Sequence, residues 1–259
     1  MENWFLRNRL KLNSLKTHFM FVMTRQRATG KNLQEEIDFG GDLVTPSKSE
    51  KMLGVTLETN LSVSSHLLLS DSSVLKQVSR KMRALWLIRR HLSFKSRKMT
   101  AWGLVMSKLI YAIEVWGPMA TEKQLGQLQV VHNSIMRWIC AAGREIRTKD
   151  LLRMSGMMSI RQIIMYRVLM TGLIAIWNKS PRQMSQWRDF KARNLHITSK
   201  SFRFCFSRML VILPADLMTK DPRKNKSEIK KWIHSNIPWD KKWDGLGDQS
   251  SDVSDAEGD

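Results

Sequence analysis

The spacing of hydrophobic positions changes character near residue 73, from short apolar runs to a sustained helical period. Before that point Trp4, Phe5 and Leu10 share one side of a short helix within residues 1–17, ended near Asn13 and Ser14. Phe19 to Met23 is a compact apolar run of strand type, and Ile37-Asp38-Phe39 alternates in the same way. Gly40-Gly41 then offers a two-residue turn into Leu43-Val44, which predicts a hairpin. Lys51 to Leu57 (KMLGVTL) is the next strand candidate, with Gly54 marking a bulge or the close approach of another backbone. The first 60 residues therefore read as α+β.

From Ser73 onward the period is helical. Val74, Val78, Met82 and Leu85 fall on one face of a first helix, and Lys76, Arg80, Arg83 and Arg90 gather roughly opposite, whereas Lys81 and Arg89 do not. Met99 to Trp116 is the most regular stretch, with Trp102, Val105, Met106, Leu109, Ile110, Ile113 and Trp116 at three- and four-residue steps. It predicts one amphipathic helix that joins the two halves of the chain, capped by Ser93. Gly117-Pro118 is its expected stop, because the residue before proline avoids the helical region. Thr121 with Gln124 predicts a capping box for a helix carrying Leu125, Leu128, Val131, Ile135 and Trp138. Thr148 and Ser159 read as further N-caps with Gly156 as a stop between them, and the second helix runs from about Ile160 to Ile176. Asn178 to Lys200 is a polar, basic linker. Phe202, Phe204, Phe206 and Met209 to Leu213 resume apolar packing, and Ser227 to Ile233 forms a short basic helix.

Charge changes the picture more than composition does. Six acidic residues and no basic one follow Trp243, so the preceding 243 residues hold 43 basic against 17 acidic side chains, a balance of +26. Phosphate neutralisation and counterion release make nucleic acid the leading partner for such a surface. An anionic membrane surface is the second class that charge alone allows. The acidic segment 244–259 is poor in hydrophobics and reads as disordered. Cys140 and Cys205 lack a C-x-x-C partner, and the six histidines show no metal spacing, so neither a zinc site nor a disulfide framework is expected. No uncharged run approaches the length of a membrane span, and Arg7, Arg9 and Lys11 interrupt any signal-peptide core. The expectation is an intracellular protein of the cytoplasm or nucleus, with no membrane partner.

The order of motifs resembles that of the reverse transcriptases (RNA-directed DNA polymerases) of non-LTR, LINE-type retrotransposons, from the back of the palm to the C-terminus. Trp4, Asn8, Leu12-Asn13 and Lys16-Thr17 resemble the segment that follows the catalytic aspartate box. Lys51-Met52-Leu53-Gly54-Val55 resembles the K-Y-L-G-V hairpin that grips the primer terminus, and His66 stands where the family often has histidine. Ser107 to Tyr111 with Glu114 to Gly117 resembles a thumb helix ending in V-W-G. Ser201 to Phe204, Leu213-Pro214 and Ile229 to Ile233 resemble the closing segment. Met52 replaces the usual tyrosine and Val211-Ile212 the usual Trp-Asn.

The resemblance implies a mainly α fold: a small α+β palm remnant over 1–60, a helical thumb-like region over 61–178, a basic C-terminal region over 179–243 and the disordered acidic tail. Nucleotidyl transfer needs carboxylates holding paired metal ions, and the chain has no Asp-Asp pair. The family's aspartate box, palm and fingers would lie upstream. The fragment is thus expected not to polymerise alone, to carry no catalytic or metal-binding residue, and to need no cofactor; Mg2+ belongs to an intact family member. The expected role is binding of RNA, DNA or an RNA–DNA hybrid. A host-retained non-catalytic binding module and a translated relic without function are the alternatives. Lys51, Leu53 and Gly54 would contact the primer, unless they form an ordinary edge strand with a bulge. Lys76, Arg80, Arg83 and Arg90 would track phosphates, unless they are only a solvated face. Lys16 resembles a leaving-group acid, against the simpler reading of a solvated lysine at a turn. Trp102, Trp116 and Trp138 are expected in the core, while Trp232, Trp239 and Trp243 among lysines are stacking candidates or covered by snorkelling lysines.

Overall fold

The computed structural model describes residues 2–9, 13, 16–23, 35–39, 42–178 and 202–243. Leu10, Ser14, the Gly40-Gly41 turn, most of the 178–200 linker and the acidic tail lie outside the described residues. The chain divides into two compact units, Met1–Ser73 and Val74–Asp259. The described residues are mostly helical, with two small antiparallel sheets among them.

The first unit contains helix α1 (Glu2–Arg7), strands β1 (Ile37–Phe39) and β2 (Asp42–Val44), and strands β3 (Ser49–Met52) and β4 (Val55–Glu58). The expected hairpin is present as β1 paired with β2, with Phe39 opposite Asp42. Phe19 to Met23 is not a strand. Among the described residues its backbone bonds are at its ends, Phe19 O accepting from Ser47 N and Met23 N donating to Thr59 O, each at 2.9 Å. Nor is Lys51 to Leu57 one strand. It folds back at Leu53-Gly54, so that Met52 faces Val55 and Lys51 faces Thr56. Val55, Val63 and Leu67 are this unit's buried aliphatic positions among the described residues. A π-helical turn, Ser65–Leu69, holds the second hairpin: Ser65 N donates to Glu58 Oε1 at 2.6 Å, and Thr56 N donates to His66 Nδ1 at 3.3 Å.

The second unit begins with α2 (Val74–Ile88), whose buried face is Val74, Val78, Met82 and Leu85, as the period predicts. Ser93 caps α3 (Phe94–Ala101) by accepting from Ser96 N. The single long helix expected over Met99–Trp116 is broken. It passes through a π-helical turn (Trp102–Met106) and α4 (Ser107–Leu109), then restarts as α5 (Ile113–Trp116) after Ala112 adopts a left-handed φ of 50°. The break frees the Tyr111 carbonyl, which accepts from the Trp116 indole at 2.8 Å. These segments lie wholly inside the second unit and do not join the two. The α-helix ends at Trp116, yet Gly117 keeps helical angles before Pro118 and leads a 3-10 turn. A Cβ on Gly117 would come within 2.9 Å of Ile164, so close packing fixes this corner.

Four longer elements complete the core: α6 (Glu122–Cys140), α7 (Thr148–Ser155), α8 (Ile160–Trp177) and α9 (Phe202–Ile212), followed by α10 (Ala215–Thr219) and α11 (Lys226–Asn236). Both capping boxes, Thr121 with Gln124 and Ser159 with Gln162, are formed, and Gly156 ends α7 at φ 59°. Thr148 is not a cap: it is the first helical residue after Arg147, and its hydroxyl accepts from Asn133 Nδ2 at 2.9 Å. Helix α8 packs against α5, α6, α9 and α11. It is long and apolar enough to cross a membrane by composition, and 56% of it is buried inside the fold.

Two features of this core are open to direct measurement. A Cβ on Gly172 of α8 would be driven into the Phe206 ring of α9. Alanine gains about 1 kcal/mol in helix propensity there, but overpacking costs about 1–3 kcal/mol. Gly172→Ala should therefore lower the thermal unfolding midpoint, and adding Phe206→Leu should restore part of the loss. The second feature is His132 on α6, fully buried, with Nε2 lacking a hydrogen-bond partner among the described residues. Burial pushes its pKa down from 6.5 to about 4. A folded-state value below the unfolded one means that the neutral ring stabilises the fold. That stability is complete above the unfolded value and is lost as pH falls toward the folded value, by about 2 kcal/mol on reaching roughly pH 5. His132→Leu should flatten this slope in urea unfolding followed across that range.

Candidate nucleic-acid interface

The residues expected to meet nucleic acid fall into one group on each unit. On the first, Leu53 and Gly54 are the central residues of the β3–β4 turn, with φ of 47° and 85°. Positive φ at both positions is the geometry of a type I′ turn, which suits Gly54 and strains Leu53. Lys51, Met52 and Leu53 are exposed, Leu53 at 86% and Met52 at 62%. The hairpin therefore presents an apolar tip beside a cation. Lys51 lies on an edge strand, as the simpler reading had it, but Leu53-Gly54 forms a turn and not a bulge.

On the second unit Lys76, Arg80 and Arg83 are exposed on α2, opposite its buried face. Their steps of four and three residues rise about 6 and 4.5 Å along the axis. Arg90 does not belong to this row. The α-helix ends at Ile88, and Arg90 sits exposed in the following 3-10 turn, Arg89–His91. Lys81, off the row, donates from Nζ to Leu104 O at 2.8 Å. Lys16 lies exposed at a turn, where Lys16 N donates to Asn13 O at 3.1 Å. Among the described residues no three His, Cys, Asp or Glu side chains gather as a metal site would require.

Of the tryptophans, Trp116 and Trp138 are buried as expected, and Trp102 is half-buried. Trp243 is fully buried, which removes it from the stacking candidates. Lys242 Nζ lies 5.2 Å from its ring centroid and 3.3 Å from Glu122 Oε1, so the lysine covers the ring. Burial would raise the Glu122 carboxyl, but hydrogen bonds and charge from Arg161 and Lys242 outweigh it and hold the group below its usual value.

An open cleft of about 830 Å³, unforeseen in the sequence, lies where α2 and α6 end, lined by Trp86, Arg89, Ser134, Arg137, Gly143 and Arg144. The Arg89 guanidinium lies 4.8 Å from the Trp86 ring centroid, and Trp86 is 41% exposed. Arg137 donates from Nε to Gly143 O at 3.1 Å, and from Nη2 to Arg144 O at 3.3 Å and Ile146 O at 3.1 Å. The available signal was the i, i+3 spacing of Trp86 and Arg89 at a helix end; their meeting with α6 is non-local. No protein-family model, curated protein or solved structure matches this chain.

The strain at Leu53 gives a test of the hairpin. Leu53→Asn should relieve about 1 kcal/mol, because asparagine tolerates the left-handed region, and should slow amide exchange across Ser49–Glu58. If the apolar tip touches nucleic acid, the same change should weaken binding of an RNA–DNA hybrid while the hairpin grows more stable.

Proposed function

We propose that this chain is the C-terminal part of a non-LTR retrotransposon reverse transcriptase, comprising the end of the palm, the thumb and the C-terminal region. Standing alone, it holds nucleic acid without polymerising it. The observation that carries the reading is the ordered series of motif-like segments from Trp4 to Ile233. Two features support it. The Lys51–Val55 segment folds as a hairpin with Gly54 in its turn, which lets backbone approach a phosphate closely. Lys76, Arg80 and Arg83 stand in an exposed row on a helix with no acidic residue. In this reading the first hairpins are the palm remnant, α2 and the helices after it are the thumb, and contacts to phosphate supply most of the affinity.

Titration of an RNA–DNA hybrid against rising salt, with heparin as a competing polyanion, tests the proposal. The wild type should prefer the hybrid, and its affinity should fall by about 0.9 log units per log unit of salt for each phosphate contacted. Changing Lys76, Arg80, Arg83 and Arg90 together to Ala should lower affinity at least about tenfold at low salt and flatten that slope by roughly three. An unchanged slope and affinity would remove this face from the interface. Equal binding of hybrid and heparin would overturn the primer–template reading itself.

A further inference from the structure

We propose that the cleft at the ends of α2 and α6 binds one unpaired nucleotide of a nucleic-acid strand, its base stacked on Trp86 and its phosphate held by Arg89 and Arg144. The inference rests on the nucleic-acid reading above and gives it a second site with a different preference. A volume of about 830 Å³ accommodates a nucleotide, which a flat basic surface does not enclose. Trp86 keeps 41% of its surface exposed even with the Arg89 guanidinium over its ring, so the indole remains accessible to another planar group. Base–aromatic stacking tolerates any sequence, because every base has a π-face, but a base inside a duplex keeps that face covered. An aromatic plate beside cations therefore selects unpaired nucleotides over paired ones.

The surrounding bonds hold the cleft in shape. The Trp138 indole donates to Leu85 O at 2.8 Å and ties the end of α2 to α6. Arg97 bridges the same two ends, donating from Nε to Ile139 O at 2.8 Å and from Nη1 to Arg89 O at 3.4 Å. Arg137 spends its donors on the carbonyls of Gly143, Arg144 and Ile146, and so fixes the loop that carries Arg144. Neither Arg89 nor Arg144 forms an ion pair among the described residues. The acid nearest in the loop, Glu145, packs its carboxylate against Gly143. Trp86 also stands one turn beyond Arg83, so a strand following the cation row on α2 reaches the cleft next.

The test compares a fluorescent single-stranded oligouridylate with the RNA–DNA hybrid on the full chain, by anisotropy at moderate salt. Trp86→Ala should weaken oligouridylate binding about tenfold and leave hybrid binding within a factor of about two. Trp86→Phe should restore most of the loss, and Arg89→Ala with Arg144→Ala should reproduce it with a shallower salt dependence. Circular dichroism and thermal melting of each variant separate a binding loss from a folding loss. Unchanged oligouridylate binding by Trp86→Ala, or an equal loss for both probes, overturns the cleft assignment while leaving the duplex-binding face standing. A wild type that binds neither probe better than heparin overturns both.

Discussion

A buried helix start organises the second unit. Helix α8 begins inside the fold, and the first N–H groups of any helix have no partner within it. Each must be met by other parts of the chain, or it costs about 1–3 kcal/mol. Here Ile160 N donates to Gln129 Oε1 at 3.0 Å, while Ser159 and Gln162 satisfy each other's backbone donors. The hydrogens left on those side chains then reach outward: Ser159 Oγ donates to Trp239 O and Gln162 Nε2 to Ile237 O, each at 2.6 Å. Gln129 continues the chain to Asn133, and Asn133 to Thr148 at the start of α7. One requirement, that the α8 donors be paired, thus fixes α6, α7 and the segment after α11 around it. The Glu122 pairs with Arg161 and Lys242 repeat the same tie at the surface.

Local chemistry was legible in the sequence, and non-local chemistry was not. The Thr121–Gln124 capping box, the Ser93 and Ser159 caps and the Gly156 stop could be read because each depends on residues close in sequence, whereas the reciprocal Gln162 bond to Ser159 emerged only in the structure. The buried face of α2 could be read for the same reason. The break at Ala112 could not, and the turn at Leu53-Gly54 was signalled only by Gly54 and the resemblance to a hairpin. Ala112 and Leu53 take left-handed angles that favour glycine, so nothing in their identity announces a turn. At Ala112 tertiary packing decides, as α5 swings to lie against α8; at Leu53 the local β3–β4 ladder closes the turn, and the neighbouring Gly54 was its one signal. Thr148 misled because a hydroxyl that looks like a cap is instead an acceptor for Asn133 from a neighbouring helix.

The candidate site follows the same division. The row on α2 was readable from helical spacing, except that the helix ends two residues before Arg90. The cleft was not, since Trp86 and Arg89 come from one helix end while Arg137 and Arg144 come from another, far along the chain. Trp243 lost its place as a stacking residue because Lys242 and Glu122 seal it, a pairing that spans most of the unit.

The basic excess then divides into two populations with different consequences. Arg97, Lys98 and Arg137 donate to carbonyls at or just beyond helix C-termini, among them Ile139, Ser155 and Gly143. Cations there satisfy orphan acceptors and oppose the negative end of the helix dipole, so their charge serves the fold itself. Lys76, Arg80 and Arg83 stand in an exposed row along α2, at the three- and four-residue steps where like charges oppose one another. A polyanion lying along that row would favour the folded state to the extent that the folded helix, by holding the cations in line, binds it more tightly than the unfolded chain does. Its binding would therefore raise the stability of the second unit by mass action. The charges that make the body so basic are in this way of two kinds: one completes the helix ends from within the fold, and the other lies exposed along α2.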